Sequence, residues 1–185
     1  MVGTDAEVHR LSYDDVLRMV EVGVLDEEDR VELVDGVLVD MSPPSAMHSA
    51  VVAWLTTHFA AAGGGYELRV QDLLRVEGGF RIPDLMVLEP QPRDRHPSTA
   101  LLVVEVAVTS QRRDAAKIRP YGRAGVSEYW IVDVEARVLR AHRRPGSGGY
   151  EQVAVYHDGD EVTSPAGAPP VRISQLLGPG RDQGA

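Results

Sequence analysis

Residues 101–108, LLVVEVAV, set a single glutamate inside an otherwise unbroken apolar run. A short run of this composition reads as a β-strand buried on both faces. Such a strand needs a sheet with further layers packed on either side of it. An unpaired carboxylate in that setting would cost several kcal/mol (roughly 3–5 when a buried pair is broken). Glu105 is therefore expected to meet either a metal ion or an arginine, and the run itself leaves both open.

The rest of the chain supplies the layers. Ser12, followed three residues later by Asp15, forms a capping box that opens a helix over Tyr13 to Val22. In VELVDGVLVDM two apolar runs flank Asp35-Gly36, a strong hairpin signal. Ser45 is the expected N-cap of a helix whose Val51, Val52, Leu55 and Phe59 recur at helical spacing, and Gly63 to Gly65 end it. YELRVQDLLRV, the turn EGG and RIPDLMVLEP read as strands, and QPRDRHPST as a loop. RRDAAKIRPYGRAG reads as a helix, and SEYWIVD, ARVLRAH, EQVAVYH and a segment near Val162 read as further strands. The order implies an α/β (α+β) fold, a mixed sheet flanked by helices. One domain is expected over residues 1–177, with a frayed polar tail over 178–185.

Several function classes lack their signatures. There is no cysteine, hence no disulfide and no thiolate metal site. The six histidines form no HExxH pair, no GxSxG elbow is present, and the glycine clusters lack the Lys-Ser/Thr of a phosphate-binding loop. No apolar run approaches the roughly 18 residues a membrane span requires. With no leader pattern either, a cytoplasmic location is expected.

Beside Glu105, four positions carry candidate chemistry. Asp84 follows Pro83 at the start of DLMVL, where the proline is expected to end ladder pairing and turn the aspartate outward. If its strand neighbours that of Glu105, both carboxylates reach one end of the sheet. Lys117, the only lysine among 19 basic residues, lies one helix beyond Glu105. Two acids and an ammonium suit a phosphodiester: oxygen ligands hold a hard cation, and the amine orients or deprotonates a nucleophile or balances charge on the phosphoryl group. Glu32, inside VELV, either faces solvent or adds a third carboxylate. His48, on the first turn after Pro43-Pro44, is expected on the helix surface rather than in a site.

The net charge of −9 disfavours a phosphate-gripping surface, and on charge alone the acidic exterior serves solubility. Arg93, Arg95, Arg112, Arg113, Arg119 and Arg123 flank the candidate acids in sequence and are the residues from which a basic patch could form.

Taken in order, VELVDGVLVDM, PPSAMH, RIPDLMVLE, LLVVEVAV and DAAKIRPYGRAGVSEYWIVDV resemble the Uma-two family of restriction endonucleases, a branch of the PD-(D/E)XK nuclease superfamily. The likeness runs from about Leu11 to His157. It implies a restriction-endonuclease-like fold and an endonuclease that hydrolyses DNA with Mg²⁺ or Mn²⁺. By the same resemblance Asp84 and Glu105 hold the metal, joined by a carbonyl beside Glu105, that of Val106. Lys117 becomes the catalytic amine, Glu32 the family's early hairpin glutamate and His48 its histidine before the long helix. Tyr121 matches the helix tyrosine, and Glu128, Tyr129, Trp130 and Asp133 fall in the closing block. The superfamily places a lysine two residues after the second acid, where this chain has Ala107. Val108, Thr109 and Ser110 replace the family's Ser-Pro-Ser-Thr run, and Pro120 falls inside the predicted helix, where it is expected to kink it. The alternative is a catalytically inactive binding module of the same fold; a third is a hydrolase of smaller phosphate esters. A homodimer would match the two strands of a duplex.

Overall fold

The structure, a computed structural model, describes residues 8–26, 28–108 and 116–179. The expected tail lies beyond them from residue 180 onward, as do Arg112 and Arg113. Helix α1 (Tyr13–Glu21) begins at the expected capping box: Ser12 Oγ accepts from Asp15 N–H at 3.1 Å, and the Asp15 carboxylate accepts from Ser12 N–H at 2.8 Å. Ser12→Ala should cost about 1 kcal/mol of stability. Urea unfolding of the two proteins measures the difference, and an unchanged midpoint would deny the cap any part in stability.

Strands β1 (Val31–Val34) and β2 (Val37–Asp40) pair antiparallel across Asp35-Gly36, whose φ values of 48° and 77° meet the demand of a type I′ turn. Helix α2 (Ala46–Ala61) follows, capped by Ser45 and burying the four apolar residues its spacing predicts.

The apparent strands of YELRVQDLLRV divide between two sheets. Strand β3 (Glu67–Val70) ends where Gln71 takes a positive φ of 50°, and β4 (Leu74–Val76) leaves in another direction. A hairpin joins β4 to β5 (Gly79–Arg81), and the chain returns through Ile82, Pro83 and Asp84 to β6 (Leu85–Leu88). Next come β7 (Leu102–Ala107), β8 (Glu128–Asp133), β9 (Val138–Gly146) and β10 (Gly149–Tyr156). Between β7 and β8 lies the short helix α3 (Ile118–Arg123).

The main sheet has the order β10-β9-β8-β7-β6-β3, and β7–β8 is its one parallel pair. The second sheet is β2-β1-β5-β4. The segment near Val162 forms β11 (Glu161–Val162), which pairs with β12 (Val171–Arg172) ahead of α4 (Ile173–Leu177). Neither β12 nor α4 is expected from the sequence.

Strand β7 is buried along its whole length, as its composition predicts. Val104 and Val106 join the core under α2, α4 and β12, whereas Val103 and Ala107 join Leu74, Met86, Tyr121 and Tyr129 on the opposite face. Strand alternation puts Glu105 on that second face, beneath α3 and the smaller sheet. A third cluster, Val16, Leu33 and Phe80, fastens α1 to the smaller sheet. None of the helices among the described residues is long and apolar enough to cross a membrane.

Candidate active site

Asp84 and Glu105 converge because of sheet register. Strands β6 and β7 pair antiparallel with Leu85 opposite Val104, so the next step sets Asp84 opposite Glu105 on the same face. Pro83 stands before β6, but Asp84 keeps strand geometry, its carbonyl accepting from Gln71 N–H at 3.2 Å, and its side chain turns into the molecule rather than outward as expected. Asp84 Oδ2 accepts from Val106 N–H at 2.8 Å, which locks the aspartate to the strand carrying its partner acid. Both carboxylates are buried, Asp84 at 7% and Glu105 at 4% exposure.

Lys117 arrives from the following helix. Its Nζ lies 2.9 Å from Glu105 Oε1 and 2.9 Å from Glu32 Oε1, so one ammonium bridges carboxylates from both sheets. Glu32 does not face solvent: it is 8% exposed and also accepts from Ile82 N–H at 3.0 Å. Burial alone would lower the Lys117 pKa, but the charges of Glu105 and Glu32 outweigh it and hold it above the usual lysine value. Lys117 is thus fixed as a cation.

Among the described residues α3 begins at Ile118, which places Pro120 in its first turn, where no backbone donor is needed. Lys117 is its N-cap, with its amine directed at the carboxylates. One turn on, Tyr121 donates its hydroxyl to Glu105 Oε1 at 2.7 Å. Burial first, and then the Glu105 charge, raise the Tyr121 pKa well above its ordinary value, so it remains a donor.

His48 corrects the expectation of a surface position. Ser45 accepts from His48 N–H at 3.2 Å, and the first turn of α2 so fixed brings His48 Nε2 within 2.9 Å of Asp84 Oδ1. Its Nδ1 is buried with no hydrogen-bond partner. The closing block is structural: Glu128 accepts from Trp130 Nε1 and Arg143, while Asp133 accepts from Arg140 and Ala136 N–H.

A cavity of about 280 Å³ opens on this centre, lined by His48, Asp84, Glu105, Val106, Lys117 and Arg30 among others. Glu32, Val39 and Lys117 also line a second cavity of about 620 Å³, which includes Arg81, Arg119 and Arg123. Of the arginines flanking the acids in sequence, Arg119 and Arg123 reach these cavities; Arg93 and Arg95, in the loop after β6, line neither. Nothing local in the sequence marks Arg30 as a residue of this cavity.

Hard oxygen donors grouped as Asp84, Glu105 and the Val106 backbone suit Mg²⁺, which binds through one or two carboxylates and completes its shell with water and phosphate. Among the described residues no three aspartate, glutamate or histidine side chains form a ready cage. A two-carboxylate site open to substrate needs none, so the residues fit.

Comparison with known proteins bears on this centre. A search of curated proteins returns no match. The structure of a protein titled a "putative nuclease belonging to DUF820" from Anabaena variabilis superposes with a TM-score of 0.74 at 15% identity. The match covers 90% of this chain and 97% of that one. It shows the shared fold. The Uma2 family model, described as "Putative restriction endonuclease", matches residues 13–175, a span that holds every residue of the centre. The chain belongs to the Uma2 family of restriction-endonuclease-like proteins.

Proposed function

We propose that the protein is a divalent-metal-dependent endonuclease that hydrolyses phosphodiester bonds in DNA. The observation that carries this reading is the meeting of Asp84, Glu105 and Lys117 from three separate elements at one open cavity. Asp84, Glu105 and the Val106 carbonyl would hold Mg²⁺ or Mn²⁺. The chemistry such a cation supplies is neutralisation of phosphoryl charge and acidification of a water molecule.

The chain's own residues do the rest. Lys117, kept protonated by two glutamates, is unsuited to act as a general base; it offers a fixed positive charge to the phosphoryl oxygens as negative charge builds there. Tyr121 and Glu32 hold that arrangement, Tyr121 by donating to Glu105 and Glu32 by fixing the ammonium from the other sheet. His48 and the Val106 N–H orient Asp84. A twofold homodimer in the cytoplasm would present two such centres to the two strands of a duplex.

One observation favours a second reading, a binding module without turnover. Both Asp84 oxygens are engaged by protein groups, and Glu105 is held by Lys117 and Tyr121. Incubating supercoiled plasmid with Mg²⁺ or Mn²⁺ separates the two. Cleavage is expected from the wild type, and Asp84→Asn and Glu105→Gln should each lower its rate roughly a hundredfold or more. A wild type that leaves plasmid intact with both metals sinks the enzyme reading and leaves the binding module.

A further inference from the structure

Strand β10 closes one edge of the main sheet, and β3 closes the other. The two edges are built differently. Strand β3 is four residues long and carries Glu67 and Arg69, charges of the kind that keep an edge from pairing with another chain. Strand β10 is eight residues long, and from Gln152 to Tyr156 its sequence, QVAVY, holds no charge, no proline and no glycine. Over those positions it pairs residue for residue with β9, so no bulge twists it away. Among the described residues the main chain of this segment bonds to no element other than β9, and alternate N–H and C=O groups of an edge strand point outward. Val153 and Val155 are 54% and 47% exposed. Two branched apolar side chains thus stand in water beside an open row of donors and acceptors.

Sheet register fixes the face they occupy. Val155 lies opposite Arg140, Arg140 opposite Ile131, and Ile131 opposite Glu105, so one row across four strands joins Val155 to the candidate centre. Val153, opposite His142, stands on the same face. The segment is also nearly a palindrome about Ala154. Set antiparallel against a copy of itself, with Ala154 opposite Ala154, it brings Val153 opposite Val155 of the partner subunit and Val155 opposite the partner's Val153. Glu151, the nearest acid, falls opposite the partner's His157, so no like charges meet.

We propose that β10 is the contact surface between two copies of this chain, which meet edge to edge through Gln152–Tyr156 in an antiparallel pair centred on Ala154. A twofold contact must be self-complementary, and the palindrome meets that condition. Main-chain hydrogen bonds join the two main sheets into one, and the valines of both copies form an apolar patch on one side of the seam. The twofold axis stands normal to the sheet, so both candidate centres lie on that same side. An uncharged seam is also where two chains of net charge −9 repel each other least. The pairing gives the homodimer its surface, and it depends on sheet geometry rather than on whether the centre cleaves DNA.

The chain has no cysteine, so a single introduced thiol reports the pairing without background. In this register the two Ala154 Cα atoms lie about 4.5–5.5 Å apart, within reach of a disulfide. The two Val153 Cα atoms lie about 7–8 Å apart on the diagonal, beyond that reach. Under mild oxidation Ala154→Cys should run mainly as a covalent dimer on a non-reducing gel. Val153→Cys, and Ala53→Cys at an exposed position of α2, should each form about tenfold less. Sedimentation of the wild type should show a reversible dimer in the micromolar range. Val153→Lys with Val155→Lys crowds like charges at the seam and should give a monomer that melts as dilute wild type does. Val153→Lys with Val155→Glu sets each ammonium opposite a carboxylate of the partner subunit and should retain the dimer. Three results would each overturn the pairing: crosslinking of Ala154→Cys no better than that of Ala53→Cys, a wild type monomeric throughout that range, or a double lysine variant that dimerises like the wild type. Plasmid cleavage plays no part in these readouts, so the nuclease reading can fail while the pairing stands, and the reverse.

Discussion

Lys117→Met should destabilise the protein by about 3–5 kcal/mol at neutral pH, the range for breaking a buried ion pair, and should abolish cleavage. The Lys117 side chain is 12% exposed, and those of Glu32 and Glu105 are 11% and 6% exposed, so solvent screens the three charges little. Removing the ammonium leaves two carboxylates facing each other with their shared counter-charge gone. Lys117→Arg keeps the charge but replaces a compact ammonium with a planar fork. It should recover much of the stability and little of the activity, which separates folding from function. The pH dependence has a definite sign. Because the folded state holds the Lys117 proton more tightly than the unfolded chain, whose pKa is about 10.5, this stabilisation is complete below 10.5 and is lost as pH rises through the higher folded value. Urea unfolding from neutral to strongly alkaline pH should show that loss in the wild type and a flatter curve in Lys117→Met. Wild-type cleavage by the methionine variant would remove Lys117 from the chemistry.

Gly122→Ala should be nearly as damaging, against the expectation from helix propensity, which favours alanine by about 1 kcal/mol. A Cβ at Gly122 would lie 2.2 Å from the Gly149 carbonyl oxygen and 2.6 Å from its carbon, both backbone atoms of β10 that cannot rotate aside. A Cβ at Gly149, where φ is 118°, would in turn meet Ile118 at 2.9 Å. This glycine-on-glycine contact lets α3 lie flat on the hairpin, and α3 carries Lys117 at its cap and Tyr121 at its centre. Lifting the helix costs about 1–3 kcal/mol in overpacking. It also draws both side chains off Glu105, and a displacement of about 1 Å can cost a hundredfold in rate. Thermal unfolding should shift down by several degrees and plasmid cleavage should fall by about that factor. An alanine variant with wild-type melting and cleavage would show that α3 has room to spare.

Much of the fold was legible because its signals are local. The Ser12–Asp15 capping box, the Asp35-Gly36 turn, the Ser45 cap and the doubly buried β7 each depend on residues a few positions apart. Periodicity could not tell which sheet a strand joins. YELRVQDLLRV reads as continuous β structure, yet the left-handed backbone of Gln71 sends β3 into one sheet and β4 into the other.

For the candidate site, the sequence by itself determined that Glu105 needs a cationic partner, since a carboxylate in a strand buried on both faces cannot remain alone. It also marked Asp84 through the proline before it, and Lys117 as the one lysine. Only the tertiary structure decided the pairing: Glu32 meets Lys117 across 85 residues, and His48, expected at the surface, reaches Asp84 from the first turn of α2. The physical reason is one of range. Backbone propensities and caps act within a turn or a strand, whereas the charge balance of a buried centre is settled by whichever elements pack together around it.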